Sequence, residues 1–409
     1  MLRQLLCTLA IAITSSSPLF SADWTSFRGP DGNSKSPDTG LLKKWDAGGP
    51  KLLWCIDSIG MGYSNVAISG GRIYINGNAE ERSMVFCFDK DGKEIWRKEN
   101  GPAHTGRWPG TRGTLTIDGD DVYDISPLGE TACFDAKTGD KKWSRNILKD
   151  YGVKLPMWHL GYAVVTVGDN VISPLGGPHC AIAMDKKTGK TTWEAPPAVG
   201  NAETAYTTPY LFDFEEIRVV VVMSNVTVEG LDSNTGKRLF TIPWTNSRSC
   251  HCTMPVYHDG HLFLTTGYEG RSQLFKLAKN PDGTIKPTEV WTEPRFDNQH
   301  GGVVLVGDHV YGTSHKGQWC SINFMTGEVG YIVGGVGSGS VHYADGMIYG
   351  LTEKNKTVLL IKPEPKEFSV VSRFELPNDA DGMSWAHPVV LDGRLYLRHA
   401  QYLYCYEVK

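Results

Sequence analysis

Residues 132–143 have the sequence Ala-Cys-Phe-Asp-Ala-Lys-Thr-Gly-Asp-Lys-Lys-Trp, and the same pattern returns along the chain. It recurs at 181–193 as Ala-Ile-Ala-Met-Asp-Lys-Lys-Thr-Gly-Lys-Thr-Thr-Trp, and shorter copies begin at Asp89, Asp232 and Asn323. In each copy an aromatic residue follows a turn glycine by four positions. Repetition of this kind is typical of architectures in which every unit is one supersecondary element.

Each unit consists of short strands joined by tight turns. Runs such as 72–75 and 394–397 alternate in polarity as strands do. The Asp-Gly and Thr-Gly pairs favour tight turns because glycine accepts a positive φ. The aromatic positions recur about every 46 residues, the length of a four-stranded propeller blade; they are Trp54, Trp96, Trp143, Trp193, Phe240, Trp291, Tyr331 and Phe374. The sequence therefore predicts an all-β, eight-bladed β-propeller of four-stranded antiparallel blades.

The two ends of the repeat complement each other. The last unit, 387–409, has three strands and no fourth, whereas the segment around Trp54 has a fourth strand and no preceding three. We expect the N-terminal segment 23–57 to complete the last blade, because this closes the ring and leaves no open edge. Residues 23–409 then form a single propeller domain.

Residues 1–22 have the order of a secretory signal peptide. Arg3 supplies a positive start, an apolar run follows at 5–13, and the small residues Ser21 and Ala22 precede Asp23. We expect cleavage near residues 21–22 and a periplasmic or secreted protein. The apolar run is too short to cross a bilayer, so the protein is expected not to span a membrane.

The charge balance limits the classes of partner. Lys plus Arg is 41 and Asp plus Glu is 45, which gives a net charge of −4. This offers no basic field for nucleic acid and no strong attraction to an anionic membrane. We expect a monomer that binds a small molecule or a protein. Nine cysteines are present, eight of them after the signal, and most are expected to be small buried residues rather than disulfides.

The repeat resembles that of the pyrroloquinoline-quinone-type propellers. The resemblance rests on the Asp-x-x-Thr-Gly-Lys-x-x-Trp unit, on Trp-Thr-Ser-Phe-Arg-Gly-Pro at 24–30, and on the segments 300–308 and 385–390. The last three segments are similar to those of exported bacterial quinone-binding-like propellers. The family includes quinone-dependent alcohol and sugar dehydrogenases, and also the noncatalytic propeller of the outer-membrane assembly machinery. The resemblance implies the fold, and it makes pyrroloquinoline quinone with Ca²⁺ a candidate cofactor.

Candidate binding residues follow from aligning the blades on the turn after the first strand. Two stacked rings of side chains then line one end of the channel, and the upper ring mixes aromatic, imidazole and small residues. Such side chains suit a planar polar ligand, although they can equally pack on one another. The candidate residues at this mouth are Tyr63, Arg112, His159, Tyr206, Thr208, His300, Ser338, Trp385 and His387.

One further cluster offers metal-ligand chemistry. Cys250, His251 and Cys252 lie close in sequence to His258 and His261, and these are types of side chain that bind zinc. Their spacing matches no four-ligand motif, so a local disulfide or simple burial is favoured. We predict no metal site.

Three functions remain open. The first is a noncatalytic propeller that binds a ligand or partner at its mouth, because the repeats use the whole mature chain. The second is a quinone-dependent dehydrogenase, which needs a carboxylate base that Asp297, Asp379 or Asp381 on nearby loops could supply. However, the chain lacks the adjacent Cys-Cys pair of the alcohol-oxidising enzymes. The third is a polysaccharide lyase or hydrolase with His300, His387, Tyr63 and Tyr206 as acid–base residues.

Overall fold

Eight sheets follow one another along the chain in the computed structural model, which describes residues 23–378 and 380–409. Six of the sheets are antiparallel and formed by four consecutive strands, a seventh adds one parallel strand from the beginning of the chain to four consecutive strands, and the eighth combines the end of the chain with another strand from its beginning. The predicted all-β, eight-bladed propeller is confirmed. The predicted signal peptide and Asp379 lie outside the described residues.

The first half of the chain contains two leading strands and four blades. The leading strands are β1 (Lys35–Ser36) and β2 (Lys51–Ile56). Blade 1 contains β3 (Ala67–Ser69), β4 (Arg72–Ala79), β5 (Arg82–Asp89) and β6 (Glu94–Pro102). Blade 2 contains β7 (Thr116–Asp118), β8 (Asp121–Ile125), β9 (Glu130–Asp135) and β10 (Lys141–Asn146), followed by the short helix α1 (Ile147–Asp150). Blade 3 contains β11 (Val165–Val167), β12 (Asn170–Gly176), β13 (His179–Asp185) and β14 (Thr191–Ala195). Blade 4 contains β15 (Tyr210–Phe214), β16 (Ile217–Met223), β17 (Thr227–Asp232) and β18 (Arg238–Pro243).

The second half completes the ring. Blade 5 contains β19 (Val256–His258), β20 (His261–Thr266), β21 (Arg271–Lys279) and β22 (Ile285–Glu293). Blade 6 contains β23 (Val303–Val306), β24 (His309–Thr313), β25 (Trp319–Asn323) and β26 (Val329–Val333). Blade 7 contains β27 (Gly339–Ala344), β28 (Met347–Thr352), β29 (Thr357–Pro363) and β30 (Phe368–Glu375). Blade 8 contains β31 (Val389–Leu391), β32 (Arg394–His399), β33 (Tyr402–Glu407) and the N-terminal strand β2.

Two parts of the N-terminal segment contact different parts of the ring. Strand β2 pairs antiparallel with β33, with Trp54 opposite Cys405, and so closes blade 8 as the sequence predicted. Residues 24–36 instead cross one end of the channel. Trp24 bridges to Ile68 in blade 1, and β1 adds to the inner strand β27 of blade 7 as a parallel strand. We call this end of the channel the closed end.

Neighbouring blades are joined by the repeated aromatic residue. The indole N–H of Trp143 donates to Lys186 O at 2.7 Å, in the turn of blade 3, and the ring packs on Gly189 of that turn. Trp96 contacts Ala136 and Gly139 in the same way. The unit therefore pairs an aromatic residue with a glycine in the next blade, since a Cβ at Gly189 would lie 2.7 Å from the Trp143 ring. This explains why both residues recur together.

The antiparallel order decides which connections meet at each end of the channel. The turns after the first and third strands of a blade lie at the closed end, beside residues 24–36. Because successive strands reverse direction, the connections after the second and fourth strands lie at the other end. We call that end the mouth.

Candidate functional site

An aromatic cluster lies at the mouth around Trp385. The ring centroids of Tyr63, His300 and Trp108 are 4.7, 4.8 and 5.2 Å from that of Trp385. Tyr63, His300 and Trp385 lie three or four residues before the first strands of their blades, whereas Trp108 belongs to the connection between blades 1 and 2. Three rings thus pack in tilted orientations around one indole, which is itself half-buried.

An acid–base pair adjoins this cluster. His300 Nδ1 lies 3.6 Å from Glu353 Oε1, and the carboxylate is largely buried. Burial acts to raise the pKa of Glu353, but its interactions with His300 and Ser338 outweigh burial and lower the pKa. Glu353 is therefore an ionised carboxylate whose partners are already supplied by the mouth.

Arg112 is held by backbone carbonyls next to this cluster. Its guanidinium donates to Trp158 O, to Trp108 O at 2.8 Å and to Arg107 O at 3.3 Å. Burial lowers the pKa of Arg112, while Tyr63, Tyr206 and Cys252 oppose this shift. Because both terminal nitrogen atoms of the guanidinium donate to backbone carbonyls, Arg112 joins the connections that contain Trp108 and Trp158.

His159 and Tyr206 lie near Arg112. The ring of His159 lies 3.8 Å from that of His104, and burial together with His104 and Arg112 lowers its pKa to about 4. His159 has a left-handed backbone with φ of 63°. The Tyr206 hydroxyl accepts a hydrogen bond from Trp158 N–H at 3.3 Å. Burial raises the pKa of Tyr206, so the phenol remains neutral.

Two predicted site residues lie deeper in the channel. Thr208 accepts a hydrogen bond from Ala163 N–H at 2.9 Å and is buried. His387 is also buried and donates from Nε2 to His300 O at 3.2 Å. The structure therefore brings Tyr63, His300, Ser338 and Trp385 together with Glu353. Arg112 lies between this group and the pair His159 and Tyr206. Thr208 and His387 are separated from the surface of the mouth.

The Cys250–Cys252 pair lies beside the mouth without metal-binding geometry. The two sulfur atoms are 3.7 Å apart, and both cysteines are free thiols. His251 points elsewhere, with Nδ1 2.8 Å from Thr266 Oγ1. Within residues 23–378 and 380–409, no three His, Cys, Asp or Glu side chains are arranged to hold a metal ion.

Of the carboxylates predicted on nearby loops, Asp297 and Asp381 can be placed. Asp297 is buried and accepts a hydrogen bond from His315 N–H at 3.1 Å, and burial raises its pKa. Asp381 is exposed.

Sequence reasoning missed Trp108 and Glu353. Glu353 follows the second strand of blade 7, and connections at this position lie at the mouth in every blade. The alternation of turns between the two ends of the channel is therefore a signal in the sequence that places Glu353 at the mouth. Trp108 lies in a long connection, whose course over the mouth is not set by any local pattern.

A cavity of about 110 Å³ lies away from the mouth, at the closed end. It lies between residues 25–32 and the inner strands of blades 2–5, and Phe27, Tyr210 and Met254 contribute to its lining. Of the predicted site residues, Thr208 contributes to its lining, and the other eight do not.

Comparison with known proteins gives a family match over the first part of the chain. Residues 20–171 match the family described as outer membrane protein assembly factor BamB. No curated protein sequence matches the chain. Among the described residues, no helix has the length and apolarity to cross a membrane.

Solved structures similar to this chain are propellers of two kinds. BamB from Moraxella catarrhalis superimposes with a TM-score of 0.64 and 16% identity, over 88% of this chain and 99% of its own. Quinohemoprotein alcohol dehydrogenase from Comamonas testosteroni gives 0.64 and 11%, over 94% and 80%. The enzyme ADHIIG from Pseudomonas putida HK5 gives 0.64 and 12%, over 95% and 80%. These matches confirm the resemblance inferred from the sequence: the chain is a propeller with pyrroloquinoline-quinone-like repeats.

Proposed function

We propose that this propeller is a noncatalytic binding protein that docks a segment of a protein partner on its mouth. The observation that carries the proposal is that the side chains at the mouth pack on one another, while an adjoining loop exposes apolar side chains to solvent. Trp385, Arg112 and Glu353 already have partners within the chain. A surface of this kind suits recognition by shape and apolar contact better than enclosure of a cofactor.

The loop between blades 2 and 3 supplies the exposed apolar side chains. Met157 is 75% exposed and Leu155 is 43% exposed, on the connection between blades 2 and 3. The adjoining Trp158 contacts the guanidinium of Arg107 at 5.1 Å, so an aromatic ring and a cation flank the apolar pair. Methionine, aromatic residues and arginine are enriched in protein interfaces. The name of the matched family, an assembly factor, is consistent with a protein partner.

The same residues fit pyrroloquinoline quinone poorly. A tricyclic quinone needs a flat ring on which to stack, yet three rings already pack on Trp385. A Ca²⁺ ion needs several oxygen ligands at one point, and no such group of carboxylates exists among the described residues. The quinone-dependent dehydrogenase therefore remains the alternative to be tested rather than the proposal.

Export and a monomeric state complete the proposal. The N-terminal sequence has the order of a signal peptide, and the matched family is named for an outer-membrane process. We expect the mature chain to begin near Ala22 or Asp23, which N-terminal sequencing of the periplasmic protein would establish. Light scattering of the purified chain should give the mass of one copy.

Site-specific photo-crosslinking in the native host tests the proposal. A photoreactive amino acid at Met157 should give discrete crosslinked protein species. The matched control is Val290, which is 47% exposed on the outer strand β22 and should give none. Substitution of Leu155→Asp should remove the species formed at position 157. Equal crosslinking at both positions, or none at position 157, would contradict the proposal.

A further inference from the structure

Arg28 is a buried cation whose hydrogen-bonding capacity is only partly used. It lies in the segment that crosses the closed end and is 1% exposed. Nε donates to Gly32 O at 3.2 Å and Nη2 donates to Val303 O. Nη1 has no partner among the described residues. A guanidinium carries five N–H donors, and a buried charge without compensation is costly.

Arg398 provides an internal comparison. It is 2% exposed and also lacks a carboxylate partner among the residues described. However, all three of its nitrogen atoms donate to oxygen atoms, those of Ala400, Ser64, Asn76 and Gly60. A buried arginine in this protein can therefore have a neutral oxygen acceptor for each of its three nitrogen atoms, without a carboxylate. Arg28 departs from that arrangement at Nη1.

Three other buried side chains in this part of the closed end also have a nitrogen atom without a partner among the described residues. The atoms are Trp24 Nε1, His342 Nδ1 and His387 Nδ1. A methyl group at Gly302 would lie 2.9 Å from Arg28 Nη1 and 2.7 Å from His387 Cε1, so these two side chains lie side by side. The rings of Trp24 and His342 are in edge contact at 4.9 Å.

Most of these nitrogen atoms carry hydrogen. The indole Nε1 of Trp24 is always a donor. Val390 N–H donates to His342 Nε2 at 3.3 Å, so in the neutral ring the hydrogen is on Nδ1. Among the described residues, no Asp or Glu makes an ion pair or a hydrogen bond with Arg28. Arg28 Nη1 and the N–H groups of Trp24 and His342 are thus buried donors without a partner among the described residues, while the His387 ring, which donates from Nε2, leaves Nδ1 as an acceptor.

We propose that the closed end of the channel contains a buried site for a small monovalent anion, bound by Arg28 with Trp24 and His342. A single guanidinium provides one net positive charge, which a monovalent anion neutralises. Because Arg28, Trp24 and His342 are all buried, the occupant must be small, as chloride is. The anion would join residues 24–28 to blades 6–8 and so stabilise the crossing segment.

Anomalous diffraction from crystals of the mature protein grown in sodium bromide tests this site directly. The expected result is a bromide peak within about 3.5 Å of Arg28 Nη1. Ordered water at that position, with no anomalous signal, would overturn the proposal. This measurement uses the unaltered chain and does not depend on the folding of any variant.

Thermal unfolding in solution gives a second test with a matched control. At fixed ionic strength, replacement of sodium gluconate by sodium chloride should raise Tm progressively, because an anion that binds only the folded state stabilises it. The Arg28→Met variant should lose this response, whereas Arg398→Met, which also removes a buried arginine, should keep it. An equal chloride response in wild type and Arg28→Met would contradict an anion site at Arg28.

Discussion

Asp124 shows how a single buried residue makes the stability of the propeller depend on pH. Its carboxylate is fully buried and accepts hydrogen bonds from Asn76 Nδ2 and Asn100 Nδ2, each at 2.8 Å. Burial raises its pKa to about 6, against the opposing effect of the two amides. The folded state therefore binds a proton in a pH range where the unfolded chain has released it.

The sign of the effect follows from this uptake. Between the ordinary pKa of an aspartate, about 4, and a folded pKa of about 6, the folded state holds more protons than the unfolded state. The free energy of unfolding should therefore fall by about 3 kcal/mol as the pH rises through that range. Denaturant unfolding at pH 4 and pH 7 measures the change. The Asp124→Asn variant should lack this component, and an unchanged pH dependence would show that Asp124 is not its source.

At the scale of the element, the contact between the aromatic residue and the turn glycine holds the blades together. Trp143→Ala should cost about 3 kcal/mol, because the ring and its hydrogen bond to Lys186 O are both lost. Gly189→Ala should also destabilise, since the φ of Gly189 is +69° and its Cβ would meet the Trp143 ring.

Gly119 is the matched control for this contact. Its φ of 61° is also left-handed, but a Cβ there would meet nothing within 4 Å. Gly119→Ala should therefore cost only the backbone strain, about 1–2 kcal/mol, and Gly189→Ala should cost more. In the Trp143→Ala background the difference between the two glycine variants should disappear, as a double-mutant cycle would measure. A difference that persists without the indole would contradict the contact.

These elements also show what could be predicted from sequence. The turns and the aromatic positions are local patterns, so the blade and its contact with the next blade follow from residues such as Trp143 and Gly189. The mouth is built from connections of unequal length. The approach of Trp108 to Trp385 and of Glu353 to His300 depends on how separate blades converge on the axis, which no spacing along the chain encodes.

At the scale of the whole molecule, the N-terminal segment closes the ring and also covers one end of the channel. Removal of residues 23–56 would expose the edge of β33 and uncover the inner strands at the closed end. We expect Tm to fall by about 10 °C or more in a single transition, measured by circular dichroism. Unfolding of the truncated chain at the wild-type Tm would show that neither contact matters for the ring.

The central claim is that the mouth is a docking surface already packed by its own side chains. The most direct test is a titration of the mature protein with pyrroloquinoline quinone, with and without Ca²⁺, followed by tryptophan fluorescence and quinone absorbance. We predict no saturable binding up to about 50 µM quinone, an affinity weaker than about −6 kcal/mol. Saturable one-to-one binding that is lost in Trp385→Ala or Arg112→Ala would contradict the claim and favour the dehydrogenase.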